Sequence, residues 1–96
     1  MLAQDGGSNS EMVSLRDEVI AYVDTIRKCA KEYDIEDYVI LLQAIMMQES
    51  GGKGNDPMQA SESGYNTKYP RVPNGITDPE YSIEVGTHTF SDCLKK

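Results

Sequence analysis

The sequence reads as an all-α domain. Three observations predict this. Apolar positions from Met12 to Tyr33 recur at alternating spacings of three and four residues, the run YVILLQAIMM is apolar on nearly every side, and Asp78-Pro79 opens a third apolar-periodic segment. The only strand signal is a short hairpin that fits inside the long loop before that third segment.

In chain order, the opening MLAQDGGSNS is rich in Gly, Ser and Asn behind an initial Met. It lacks the basic and apolar regions of a signal peptide, and residues 1–10 read as a flexible linker or an expression remnant. The first helix follows, with Leu15, Val19, Tyr22, Val23, Ile26, Cys29, Ala30 and Tyr33 on one face. Ser10 or Ser14 serves as its cap, the second with Asp17 three residues later, and Tyr33-Asp34 ends it. Asp34 is then expected to cap a second helix over residues 35–48, with Glu36 and Asp37 in the favourable first turn. Because this helix is apolar all round, it belongs at the centre of the domain. The first helix offers it a single face, so the core is expected to run short of partners.

Residues 50–78 are rich in Gly and Pro and have no apolar periodicity, which makes them one long ordered loop of the kind that usually carries function. The third helix begins at Asp78 and Pro79 and places Ile83, Phe90 and Leu94 on one side.

A chain of 96 residues, 39% hydrophobic and 26% charged, has the composition of one small folded domain. Its net charge of -7 repels phosphates and anionic surfaces, which argues against nucleic-acid and membrane partners. No apolar run reaches the roughly 18 residues of a membrane span. Cys29 and Cys93 are too few for a disulfide framework or a zinc site. They read as two buried thiols, or as a bridge that would add about 4 kcal/mol on the chain-entropy estimate.

The chemistry concentrates in MMQESGGKGNDPMQASESG, residues 46–64. Glu49 closes an apolar helix, where partial desolvation favours a protonated carboxyl able to act as a general acid. Glycines directly after it allow a sharp turn and the close approach of a polymer. Asp56, Gln59, Ser61 and Glu62 return as polar groups able to orient that polymer or a water. Each also has a plain structural reading: Glu49 as a solvated helix end, Asp56 as a turn former before Pro57, Gln59 as a buried hydrogen-bonding group, Ser61 and Glu62 as the start of another turn. The segment lacks the spacing of a phosphate loop and of an EF-hand. His88 has no Ser or Cys partner pattern and reads as a surface or interface residue. No metal or cofactor is required.

The pieces LLQAIMMQESGGKGNDPMQASES and NGITDPEYSIEVGTHTFSDCLK, in that order, closely resemble the lysozyme-like muramidase domain of the CwlT-type bifunctional cell-wall hydrolases of Gram-positive bacteria and their conjugative elements. The likeness runs from about Val13 to the last residue. It is also distantly similar to goose-type lysozymes and lytic transglycosylases. The resemblance implies a helical lysozyme-like fold and cleavage of the β-1,4 bond between N-acetylmuramic acid and N-acetylglucosamine in peptidoglycan, in the cell wall outside the cell. It makes Glu49 the catalytic acid and Asp56 the group that positions water or substrate. Gln59, Ser61 and Glu62 match loop positions bordering the sugar chain. Transglycosylation to a 1,6-anhydro product would use the same features. In that family the domain continues with further helices, so residues 11–96 are expected to be its N-terminal part, active as it stands or inactive and completed by a second copy in a homodimer.

Overall fold

The computed structural model describes residues 15–95. The linker expected over 1–10 and the caps expected at Ser10 and Ser14 lie outside them. The described elements are α1 (Asp17–Ala21), α2 (Val23–Glu32), α3 (Val39–Glu49) and α4 (Pro79–Leu94), with a 3-10 turn (Glu36–Tyr38) ahead of α3. The all-α prediction holds, and the hairpin expected in the loop is absent: no strand occurs among the described residues.

The helix expected to run unbroken to Tyr33 is divided at Tyr22. There the Tyr22 N–H turns to the Val19 carbonyl at 3.1 Å, one residue short of helical spacing, and the Tyr22 carbonyl starts α2 by accepting from Ile26 at 2.9 Å. The bend lets α1 lie directly on Gly52, where an added Cβ would stand 2.8 Å from the Val19 nitrogen and 2.9 Å from the Glu18 carbonyl carbon. Gly52 is therefore where helix backbone and loop backbone touch.

Asp34 does not cap the next helix as expected. With φ +62° it occupies the left-handed region and closes α2 instead. Its N–H bonds the Lys31 carbonyl at 3.1 Å and the Ile35 N–H bonds the Ala30 carbonyl at 2.8 Å, the paired bonds of a Schellman stop. Ile35 and Ala30 are both buried, supplying the apolar contact that accompanies the motif. At the end of α3, Gly51 takes the same left-handed role with φ +66°, its N–H reaching the Met47 carbonyl at 3.2 Å.

The core joins Val19 of α1, Ile26, Cys29 and Ala30 of α2, Val39, Leu42 and Met46 of α3, and Ile83 and Val85 of α4. Met58, Ala60 and Ile76 join it from the loop, which is how a segment without periodicity is held in place. The helix α3 is apolar all round yet incompletely covered: Ile40 is 71% exposed and Leu41 45% exposed, in line with a core short of partners. The expected start of α4 is present, with Asp78 Oδ1 accepting from the Glu80 N–H at 3.1 Å and Pro79 in the first turn.

Candidate active site

The loop is built around Asp56. Its side chain is 2% exposed, and both carboxylate oxygens are fully engaged. Oδ1 accepts from the Ala60 N–H at 2.9 Å and from Ser82 Oγ at 2.7 Å, while Oδ2 accepts from Ser61 Oγ at 2.5 Å and from the Ser61 N–H at 3.3 Å. Charge-assisted bonds to a buried carboxylate are short and strong, and four of them satisfy it without solvent. Ser82 in turn accepts from the Met58 N–H at 3.0 Å, and Ser61 accepts from the Ile76 N–H at 2.9 Å. One anion thus ties both sides of the loop to α4.

Two further polar groups complete the loop. Ser50 donates to the Pro57 carbonyl at 2.6 Å and accepts from the Gly52 N–H at 2.9 Å, closing the glycine turn. Buried Asn66 donates to the carbonyls of Ser61 at 2.7 Å and Tyr69 at 3.0 Å, and accepts from the Tyr69 N–H at 3.0 Å. Gly51 and Gly52 are buried and serve the packing of the turn, whereas Gly54 is exposed with open space beside it.

A groove of about 370 Å3 opens where α3, the loop and α4 meet. Ile45, Met58 and Phe90 line it with apolar side chains, and Glu49, Gln59 and Glu62 line it with polar ones. Glu49 comes from the last residue of α3 and is exposed, so the desolvation expected from its apolar helix is missing. Gln59, with φ +49°, donates through Nε2 to the Asp56 carbonyl and to Asn74 Oδ1, both at 3.0 Å. Asp56 and Ser61 are not among the groove's lining residues. The structure therefore brings three of the five predicted residues together and places the other two behind them as support.

Ser63, Gly86, Thr89 and Phe90 also line the groove, and sequence reading did not single them out for it. The periodic apolar face of α4 did contain Phe90, but its relation to Glu49 depends on how the loop folds back.

Both cysteines are free, and Cys93 is exposed rather than buried as expected. Cys29 is buried, and that burial pushes its thiol up to about 11. His88 is half-buried, in line with a surface or interface residue, and stacks between Tyr33 and Tyr65, with ring centroids 4.6 and 3.6 Å away. Among the described residues, no group of three or more His, Cys, Asp or Glu is placed to hold a metal ion. A larger cavity of about 450 Å3 lies between α2 and α4, lined by acids such as Asp24, Glu80 and Glu84. It contains none of the motif residues.

The family model for lysozyme-like proteins matches residues 16–96. The chain is 40% identical over 91 residues to the bifunctional muramidase/DL-endopeptidase CwlT of Bacillus subtilis, a match covering 95% of this chain and 26% of that protein. It is 37% identical over 76 residues to the pneumococcal vaccine antigen A homolog of Streptococcus pyogenes, covering 79% of this chain and 36% of that one. Among solved structures, a protein described as similar to lipoprotein, NLP/P60 family, from Staphylococcus aureus superposes with a TM-score of 0.77 at 43% identity. That match covers 86% of this chain and 26% of the other. The chain thus spans about a quarter to a third of the length of these relatives.

Proposed function

The chain belongs to the lysozyme-like family, and from that premise we propose that it is an N-acetylmuramidase acting on the glycan strands of peptidoglycan in the bacterial cell wall. The observation that carries the reading is the position of Glu49, an acid at the end of α3 that lines a partly apolar groove together with Gln59 and Glu62. A groove that mixes apolar side chains with a few polar groups suits a sugar ring, whose faces are apolar and whose rim is polar.

In the proposed reaction, protonated Glu49 donates to the oxygen that bridges muramic acid C1 and the next N-acetylglucosamine. The C1–O bond breaks as positive charge develops on the muramic acid ring, and water attacks C1. Asp56 acts at one remove as a positioning residue. Its four bonds hold the turn that presents Gln59 and Glu62, a part that replaces the water-positioning one expected from the sequence.

The test is mass spectrometry of soluble products from purified Gram-positive peptidoglycan treated with this chain or with Glu49→Gln. Products with reducing muramic acid ends, reduced about 10²–10⁴-fold in rate by the substitution, are expected. Anhydro ends would instead identify a transglycosylase, and an undiminished rate in Glu49→Gln would remove Glu49 from the chemistry.

A further inference from the structure

We infer that Glu62 is the second catalytic carboxylate of this groove, the general base that takes a proton from the attacking water. The inference rests on the muramidase reading above. Hydrolysis assisted by a general acid leaves a water to be placed and deprotonated, and a second carboxylate in the same groove is the usual means. Asp56 is unable to serve, because a 2% exposed anion with all four bonds made reaches neither water nor sugar without dismantling the loop. Among the described residues lining the groove, Glu49 and Glu62 are the only acids.

The local structure holds Glu62 in place without engaging its side chain. The Ser63 N–H bonds the Ala60 carbonyl at 3.0 Å, so residues 60–63 form a tight turn with Glu62 at its third position. Both neighbours are fixed. Ser61 is locked to Asp56 through its hydroxyl and N–H. Ser63 Oγ lies 2.8 Å from Thr89 Oγ1, whose proton goes to the Val85 carbonyl at 2.8 Å, so the serine is the donor and the turn is fastened to α4. A carboxylate at the tip of a turn anchored on both sides is held at the groove while its own oxygens stay open to a ligand. This gives the buried Asp56 network a purpose in the reaction, since it fixes the base that the network itself does not supply.

The step balances. Water oxygen bonds to muramic acid C1 as the C1–O bond to the leaving sugar breaks, the water proton passes to the Glu62 carboxylate, and the Glu49 proton passes to the leaving oxygen. Both carboxyl groups then exchange protons with solvent and return to their starting states.

Glu62→Ala in the full chain, assayed on purified Gram-positive peptidoglycan with and without sodium azide, tests the inference. The expected result is a fall in kcat of about 10²–10⁴-fold with an unchanged melting temperature. Azide, an anion that needs no base, is expected to restore turnover at least about tenfold and to leave a glycosyl azide at muramic acid C1. An unchanged kcat overturns the inference, as does a loss confined to KM or a loss of kcat that azide does not restore. Failure of the underlying reading is seen separately, in the unsubstituted chain, as absence of reducing muramic acid ends.

Discussion

Asp56 and Glu49 carry the same functional group seven residues apart, and the fold gives them opposite surroundings. Glu49 is exposed in the groove, whereas Asp56 is closed in by Ser61, Ser82 and Ala60. Asp56→Asn would turn one acceptor into a donor facing donors. It is expected to cost roughly 3 kcal/mol, lowering Tm by more than about 10 °C in thermal denaturation followed by circular dichroism. A Tm within a degree or two of the unsubstituted chain would mean that the four bonds to Asp56 do not hold the loop. The cysteines divide in a similar way. Iodoacetamide at pH 8 is expected to add one group, at exposed Cys93, because Cys29 is buried and its thiol stays protonated up to about 11. Two adducts on the folded chain, read by intact mass, would contradict that. The shift also has a sign for stability. In the unfolded chain the Cys29 thiol ionises near 9.0 and in the folded chain at about 11, so the unfolded state loses its proton first and stability falls as pH rises through that window. Burial raises Tyr33 in the same direction, and Cys29→Ala is expected to remove part of the slope. The place of Glu49 at the end of α3 was legible in the sequence because an acid that closes an apolar run is a local pattern. The burial of Asp56 was not, because Asp-Pro in a glycine-rich stretch has the composition of an exposed turn and one of its partners, Ser82, lies 26 residues away.

At the level of the elements, the helix ends separate local signals from tertiary ones. The start of α4 was legible because Asp78 and Pro79 act on their own first turn. The end of α2 was misread because a short acidic residue suits both an N-cap and a left-handed stop. What decides between them is the packing of Ile35 against Ala30, visible only once the core forms. The left-handed backbone at Asp34 makes a definite prediction. Asp34→Gly relieves a conformation that costs an L-residue about 1–2 kcal/mol, offset by roughly 0.5–1 kcal/mol of added chain entropy. A net gain of about 0.5 kcal/mol, or roughly 2–4 °C in Tm, is expected. Asp34→Val is expected to lose stability, and a gain there would contradict the Schellman assignment. On α4, Thr87 is fully buried and its Oγ1 has no hydrogen-bond partner among the described residues. Thr87→Val removes an unmet hydroxyl at constant shape, so it is expected to be neutral or to stabilise by up to about 1 kcal/mol. A loss above about 1 kcal/mol would show that the hydroxyl makes a bond of its own.

For the molecule as a whole, the groove and the charge pull in different directions. The helices were legible because their periodicity is written in neighbouring residues. The groove was not, because it forms where the end of α3, the turn at residues 60–63 and α4 converge, and contacts across such sequence separations leave no local pattern. Net charge, in contrast, is a property of the whole sequence and needs no fold. On the proposed muramidase reading, a chain of net charge -7 would approach a wall that carries carboxylates and phosphates of its own, so its approach would be opposed at long range. Among the described residues lining the groove there is no Lys or Arg that would draw those anions in. The opposition acts over the Debye length, about 30 Å at 0.01 M salt and about 8 Å at 0.15 M, whereas sugar contacts inside the groove act at a few ångströms. Raising salt across that range is therefore expected to lower KM for intact walls several-fold while leaving kcat unchanged. Walls stripped of their anionic polymers should show a smaller effect. A KM that rises with salt would instead mean that exposed cations such as Lys53, Lys68 and Arg71 guide the strand, and that attraction at those positions outweighs the repulsion of the whole.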